Sequence, residues 1–88
     1  MACEEIWLGP HLQANTDVGG KSVSFGVIGV DAREGQPLVV RLAATTDEER
    51  ILDLCPGDTF PVYEQTWKID RVEDARSRDW SVVLVRVE

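Results

Sequence analysis

The sequence has very few of the residues that usually carry out chemistry. Its 88 residues include one histidine, His11, and two cysteines, Cys3 and Cys55. A general base, an activated nucleophile or a metal site needs several such groups close together. The residues on either side of His11 supply none. The sequence therefore indicates no catalytic, metal-binding or cofactor-binding residues, and it favours a non-enzymatic protein.

Two cysteines are too few for the disulfide framework of a small secreted domain. The first residues, MACEEIW, are acidic where a secretion signal is basic. We therefore expect a cytoplasmic protein with reduced thiols. A disulfide between Cys3 and Cys55 is the alternative, since an N-terminal strand lying beside Cys55 would bring the two sulfur atoms together.

Basic residues and long hydrophobic runs are also scarce. Nine Lys and Arg residues stand against 16 Asp and Glu, which gives a net charge of -7. Such a charge repels nucleic acid and anionic lipid surfaces. The longest aliphatic run, residues 82–85, is far shorter than the roughly 20 residues that span a membrane. We expect neither nucleic acid nor a membrane as partner.

What the sequence does contain favours β-structure. Twelve valines and four isoleucines are β-branched and pack well on a pleated sheet. Eighty-eight residues form one domain, residues 1–88, with a core of its own. Repeated period-2 alternation predicts an all-β fold of six or seven short strands, as a small rolled antiparallel sheet or a partly open β-barrel. At most one helical turn is expected near Thr46-Glu49, where the spacing matches a capping box.

A β-hairpin in the C-terminal half, within residues 55–72, is the clearest predicted element. Pro56-Gly57 has the residues that a type II turn requires, and Asp58 is expected to fix that turn by accepting backbone hydrogen bonds. The alternating stretches that follow predict two strands connected by Glu64-Gln65.

Other segments are predicted from their patterns. Residues 4–14 are predicted to form one edge strand that bends at Gly9-Pro10, and residues 15–21 a turn-rich connection. The parity of apolar residues shifts after Val27, which predicts a β-bulge. The last strand has apolar residues on both faces, so we expect it inside the sheet.

Three residues are candidates for contact with a partner or ligand. Trp67 keeps the parity of Ile69 and is assigned to the core. Trp7 has the opposite parity from its apolar neighbours, and Tyr63 does so beside Val62, so both are expected to face solvent. His11 is expected at the surface of the edge strand. Trp7, Tyr63 and His11 are therefore the candidate contact residues.

The C-terminal half also carries a family resemblance. GDTFPV, a short gap and TWKIDRVE, followed by a valine-rich strand, resemble a family of short actinobacterial proteins of unknown function. The resemblance implies a small bacterial β-domain and adds no catalytic residue.

Two functions from different classes fit these observations. The first is an accessory or protein-interaction module that binds a partner, or a second copy of itself, through an N-terminal or C-terminal edge strand. The second is a small β-barrel that binds an apolar small molecule, as a carrier or as a cyclase-like accessory in a biosynthetic pathway.

Overall fold

All the regular secondary structure in the described residues is β-strand. A computed structural model describes residues 5–10 and 12–87, which contain eight strands and no helix. The strands are β1 (Glu5–Leu8), β2 (Gln13–Val18), β3 (Lys21–Asp31), β4 (Val39–Thr45), β5 (Glu49–Leu54), β6 (Thr59–Val62), β7 (Gln65–Glu73) and β8 (Ser81–Arg86). The all-β prediction is confirmed. Residues 46–48 form the tip of a hairpin, closed by a 3.0 Å hydrogen bond from the Thr46 N–H to the Glu48 carbonyl.

The strands form two four-stranded antiparallel sheets. Sheet A has the order β1-β8-β7-β6, and sheet B has the order β2-β3-β4-β5. One hydrophobic core contains residues of both sheets. The two sheets therefore pack against each other as an open sandwich and do not close into a barrel.

The strand count exceeds six or seven because the N-terminal segment divides in two. The chain leaves sheet A at Gly9-Pro10 and enters sheet B, so residues 4–14 are not one bent strand. Residues 15–18, predicted as a connection, belong to β2 and pair with residues 21–24 of β3. Gly19 and Gly20 close this hairpin with φ of 59° and 81°, the conformation that a two-residue type I′ turn requires.

A β-bulge lies in β3 at the predicted place. Val27 pairs with Leu42, and the next pair is Gly29 with Arg41, so Ile28 is the extra residue. Its side chain is 58% exposed. The bulge is the reason why apolar residues change parity along this strand.

The predicted C-terminal hairpin is present, with one correction to its turn. Gly57 has a φ of 95°, and the Asp58 carboxylate accepts a 2.8 Å hydrogen bond from the Cys55 N–H, as expected. The connection between β6 and β7 is Tyr63-Glu64, because Gln65 already pairs with Val62.

The core is filled by large side chains from both sheets. Phe25 of sheet B packs edge-on against Phe60 of sheet A, with ring centroids 6.2 Å apart, and lies 5.4 Å from the ring centroid of Trp67. Trp67 is fully buried, as predicted. Burial of each such side chain stabilises the fold by about 1.5–3 kcal/mol.

Within the described residues, no helix is long and apolar enough to cross a membrane.

β8 is a central strand with both faces covered. It pairs with β1 on one side and with β7 on the other. Val82 and Leu84 belong to the core between the sheets. Val83 points to the opposite face, yet it is also fully buried. Side chains on the outer face of sheet A must therefore cover it.

Candidate functional site

The structure places two of the three candidate contact residues at the surface and separates them. Trp7 is 50% exposed on β1, and Tyr63 is 36% exposed at the tip of the β6–β7 hairpin. β1 and β6 are opposite edges of sheet A, about 14 Å apart across the sheet. His11 lies outside the described residues. Trp7 and Tyr63 therefore belong to two distinct surfaces.

The register of sheet A builds a cluster around Trp7. Trp7 of β1 pairs with Val83 of β8, and Val83 pairs with Arg71 of β7, so the three side chains form one row on the outer face. We call this surface the Trp7 face. It consists of Glu5, Trp7, Asp70, Arg71, Glu73 and Val83.

Hydrogen bonds and a cation–π contact fix the indole ring. The Trp7 Nε1–H donates a 2.6 Å hydrogen bond to Glu5 Oε1. The Arg71 guanidinium carbon lies 5.0 Å from the centroid of the Trp7 ring. This distance is within the range of an attractive cation–π interaction. The ring is thus held in place while half of it stays open to solvent.

Two carboxylates hold Arg71 over the ring. Its Nε donates a 2.7 Å hydrogen bond to Glu73, and its Nη1 donates to Asp70. These bonds, that to Glu73 first, raise the pKa of Arg71 above its ordinary value. Val83 lies between Trp7 and Arg71 in the row, which explains its complete burial outside the main core.

The surface around Tyr63 is smaller than the Trp7 face. Lys21 Nζ lies 4.6 Å from the centroid of the Tyr63 ring. A concavity of about 200 Å³ beside it is lined by Val18, Gly19, Lys21, Tyr63 and Glu64. This volume is below the roughly 300 Å³ at which small-molecule pockets begin.

A wider basin lies beside the bulge of β3. Its volume is about 550 Å³, and its lining includes Ile28, Gly29 and Val39. Sequence patterns did not single it out, although the bulge was predicted, because its lining combines β3 and the loop after it with residues of β4 and β5. The basin is wide and shallow, and its walls are ion pairs.

Both ion pairs at this basin are bidentate. Arg33 contacts Asp31 at 3.0 Å through both Nε and Nη2, and Arg41 contacts Asp53 at 2.9 and 3.3 Å. The hydrogen bond from Arg41 lowers the pKa of Asp53 below its ordinary value. These charges are satisfied within the protein, so the basin presents a neutral lining rather than a charged ligand site.

The described residues contain no group of three or more His, Cys, Asp or Glu side chains that could hold a metal ion. Cys55 is half-buried and free, and Asp58 is occupied by the turn. Cys3 and His11 lie outside the described residues. The alternative of a disulfide between Cys3 and Cys55 therefore stays a prediction. The feature most suited to binding is the Trp7 face, whose half-exposed indole ring is held by Glu5 and Arg71.

Fold and surface together define a small β-sandwich domain with a tryptophan–arginine cluster on one outer face. The chain belongs to a family of unknown function, DUF6406, whose sequence profile matches residues 4–88. The match covers the hairpin residues that carry the resemblance described above. No curated protein and no solved structure matches the chain.

Proposed function

We propose that the protein is a non-enzymatic interaction module that binds another protein through the Trp7 face. A bacterial, cytoplasmic setting belongs to the same proposal. The observation that carries it is Trp7 itself, a large ring that is half exposed and yet fixed by Glu5 and Arg71.

The energetics of recognition favour this surface. Tryptophan and arginine are among the residue types most enriched in the side chains that dominate binding energy, and such side chains often contribute about 2 kcal/mol or more. A partner that covers the exposed half of the ring would bury roughly 100 Å² of aromatic surface. Because Trp7 and Arg71 are already ordered, little conformational entropy is lost on binding.

The charge of the protein bears on which partner binds. A net charge of -7 makes two copies repel each other. The dimer expected through a terminal edge strand would also have to use β1, which has only four residues, because β8 has neighbours on both sides. We therefore favour a different protein over a second copy.

The test is affinity capture from the native host with three forms of the protein. Trp7→Ala should lose a partner that the unmodified chain retains, and Arg71→Gln should weaken its capture. Ile28→Ala is the matched control, since it removes an apolar side chain of similar exposure from the other sheet. Far-UV circular dichroism checks that all variants are folded.

Sedimentation over a wide concentration range accompanies the capture. A chain that stays monomeric and captures nothing sensitive to Trp7 would contradict the proposal. A dimer that Trp7→Ala dissociates would assign the Trp7 face to a second copy instead.

The apolar-ligand alternative has less support in the geometry. Trp67, Phe25 and Leu42 are fully buried where a central cavity would lie. A shift of tryptophan fluorescence on addition of a hydrophobic dye would nevertheless favour it over protein binding.

A further inference from the structure

The sandwich is open along the side where β5 and β6 meet. These consecutive strands are joined by a tight turn at residues 55–58, but they belong to different sheets and do not pair. They therefore diverge from the turn and leave a cleft of about 340 Å³ between them. It is lined by Ala44, Thr46, Asp47, Glu48, Arg50, Leu52, Pro61, Val62 and Tyr63.

Of the four edge strands in the described part of the chain, β5 is best suited to pair with another segment. β1 and β6 have only four residues each, and Pro61 in β6 lacks an N–H. β2 is mostly polar. β5 has six residues with neither glycine nor proline, and Ile51 on its outer face is 48% exposed.

The side chains of β5 indicate what kind of segment fits. Leu52 and Leu54 face the core and are only half-buried, so apolar side chains added beside them would continue the core into the cleft. An extended segment presents every second side chain to one face. The segment would thus carry apolar residues at alternate positions.

The charge at the β5 edge indicates which side chains occupy the other positions of the added segment. Asp53 is paired with Arg41, and the remaining charged residues, 47–50, comprise three acidic side chains and one basic side chain, a net charge of -2. Like charges that lie opposite each other across an antiparallel pair are destabilising, and opposite charges are stabilising. A second copy of β5 is therefore disfavoured, and a basic segment is favoured.

We propose that β5 binds an extended basic segment of another protein as an added strand. Its apolar side chains enter the cleft beside Leu52 and Val62, and its lysines or arginines lie on the outer face of sheet B beside Glu49 and Ile51. Backbone hydrogen bonds to the edge of β5 that no described strand covers provide the register. This site lies on the opposite side of the sandwich from β1, and it stands whether or not the Trp7 face binds a protein.

The experiment uses two synthetic peptides with the full chain. One alternates lysine with valine and the other alternates glutamate with valine, and binding is followed through the backbone amide resonances by NMR. The lysine–valine peptide should shift the β5 amides and slow their hydrogen exchange, with little change at Trp7. The glutamate–valine peptide should bind at least tenfold more weakly.

Two charge-matched variants localise the binding. Ile51→Lys should weaken the lysine–valine peptide at least tenfold, because it places a cation on the proposed edge. Ile28→Lys adds the same charge at an exposed isoleucine of β3, two strands away, and should change the affinity less than threefold. Both side chains are exposed, so both variants should fold.

Four results would overturn the proposal. They are failure of the lysine–valine peptide to bind at millimolar concentration, equal binding of the two peptides, equal weakening by the two variants, and a dimer of the chain that only Ile51→Lys dissociates. The last would give the β5 edge to a second copy.

Discussion

Tyr63 has a backbone conformation that its side chain disfavours. It begins the two-residue turn between β6 and β7 with a φ of 52°. Glycine and asparagine tolerate this region, whereas a residue with a bulky side chain loses about 1–2 kcal/mol there. The cation–π contact with Lys21 partly offsets that loss.

Replacing Tyr63 by glycine and by alanine separates the backbone from the ring. Both variants lose the contact with Lys21, but only alanine keeps a Cβ in the left-handed region. We expect Tyr63→Gly to be more stable than Tyr63→Ala by about 1 kcal/mol in urea unfolding. The same pair at Thr59, an exposed strand position with ordinary φ, should show the opposite order. If the alanine variant were more stable than the glycine variant at both positions, the backbone of Tyr63 would not be strained.

Side-chain parity along the strands predicted the burial or exposure of some residues and failed to predict it for others. The exposure of Trp7 and the burial of Trp67 follow from alternation with their neighbours. The burial of Val83 outside the core does not, because it depends on Trp7 and Arg71, which are distant in sequence. The row that forms the Trp7 face exists only through strand pairing.

The bulge in β3 shows how one extra residue can preserve a hydrophobic pattern. Before it, Val23, Phe25 and Val27 face the core, and after it Val30 does so opposite Val40. Without Ile28, the same residues would alternate in one unbroken register. The core therefore does not require Ile28.

Deletion of Ile28 should be tolerated for this reason. We expect the shortened chain to unfold cooperatively, with a loss of stability of about 1 kcal/mol, mainly from changed bending of the strand. Deletion of Ser24 is the control, since it makes Val23 and Phe25 adjacent, and both cannot then face the core. That loss should exceed about 3 kcal/mol, as for removal of a buried phenylalanine. Thermal unfolding followed by circular dichroism compares the two, and similar losses would refute the role assigned to the bulge.

At the level of elements, most strands were predictable and the N-terminal ones were not. The hairpin after Pro56, the bulge and the central place of the last strand all follow from local residue patterns. β2 was missed because Asn15 and Asp17 have low strand propensity. Its pairing with β3 and the turn at Gly19-Gly20 outweigh that propensity.

For the whole molecule, the all-β class was predictable, but the assignment of strands to sheets was not. Sheet B is formed by four strands consecutive in sequence, whereas sheet A combines β1 with β6, β7 and β8. Alternation identifies a strand and its buried face, and it carries no information on a partner more than 70 residues away. Glu5, for example, pairs with Val85.

Because β8 joins β1 to β7, its loss should unfold the whole protein. A chain that ends at Trp80 loses three fully buried residues, residues 82–84. At about 1.5–3 kcal/mol each, they represent most of the 5–15 kcal/mol by which a domain is usually stable. We expect circular dichroism to show no cooperative thermal transition for this chain. A chain that ends at Arg86 is the control and should unfold cooperatively, and a cooperative transition in the shorter chain would contradict the central role of β8.

The pairing of β1 with β8 also sets an order of events during synthesis. β1 is translated more than 70 residues before β8, its only ladder partner within the described residues. Sheet B, in contrast, is complete once residue 54 has emerged from the exit tunnel. Sheet B can therefore form before sheet A, and its apolar face stays uncovered until β6, β7 and β8 have followed. A chaperone that binds such faces would act on the protein in that interval.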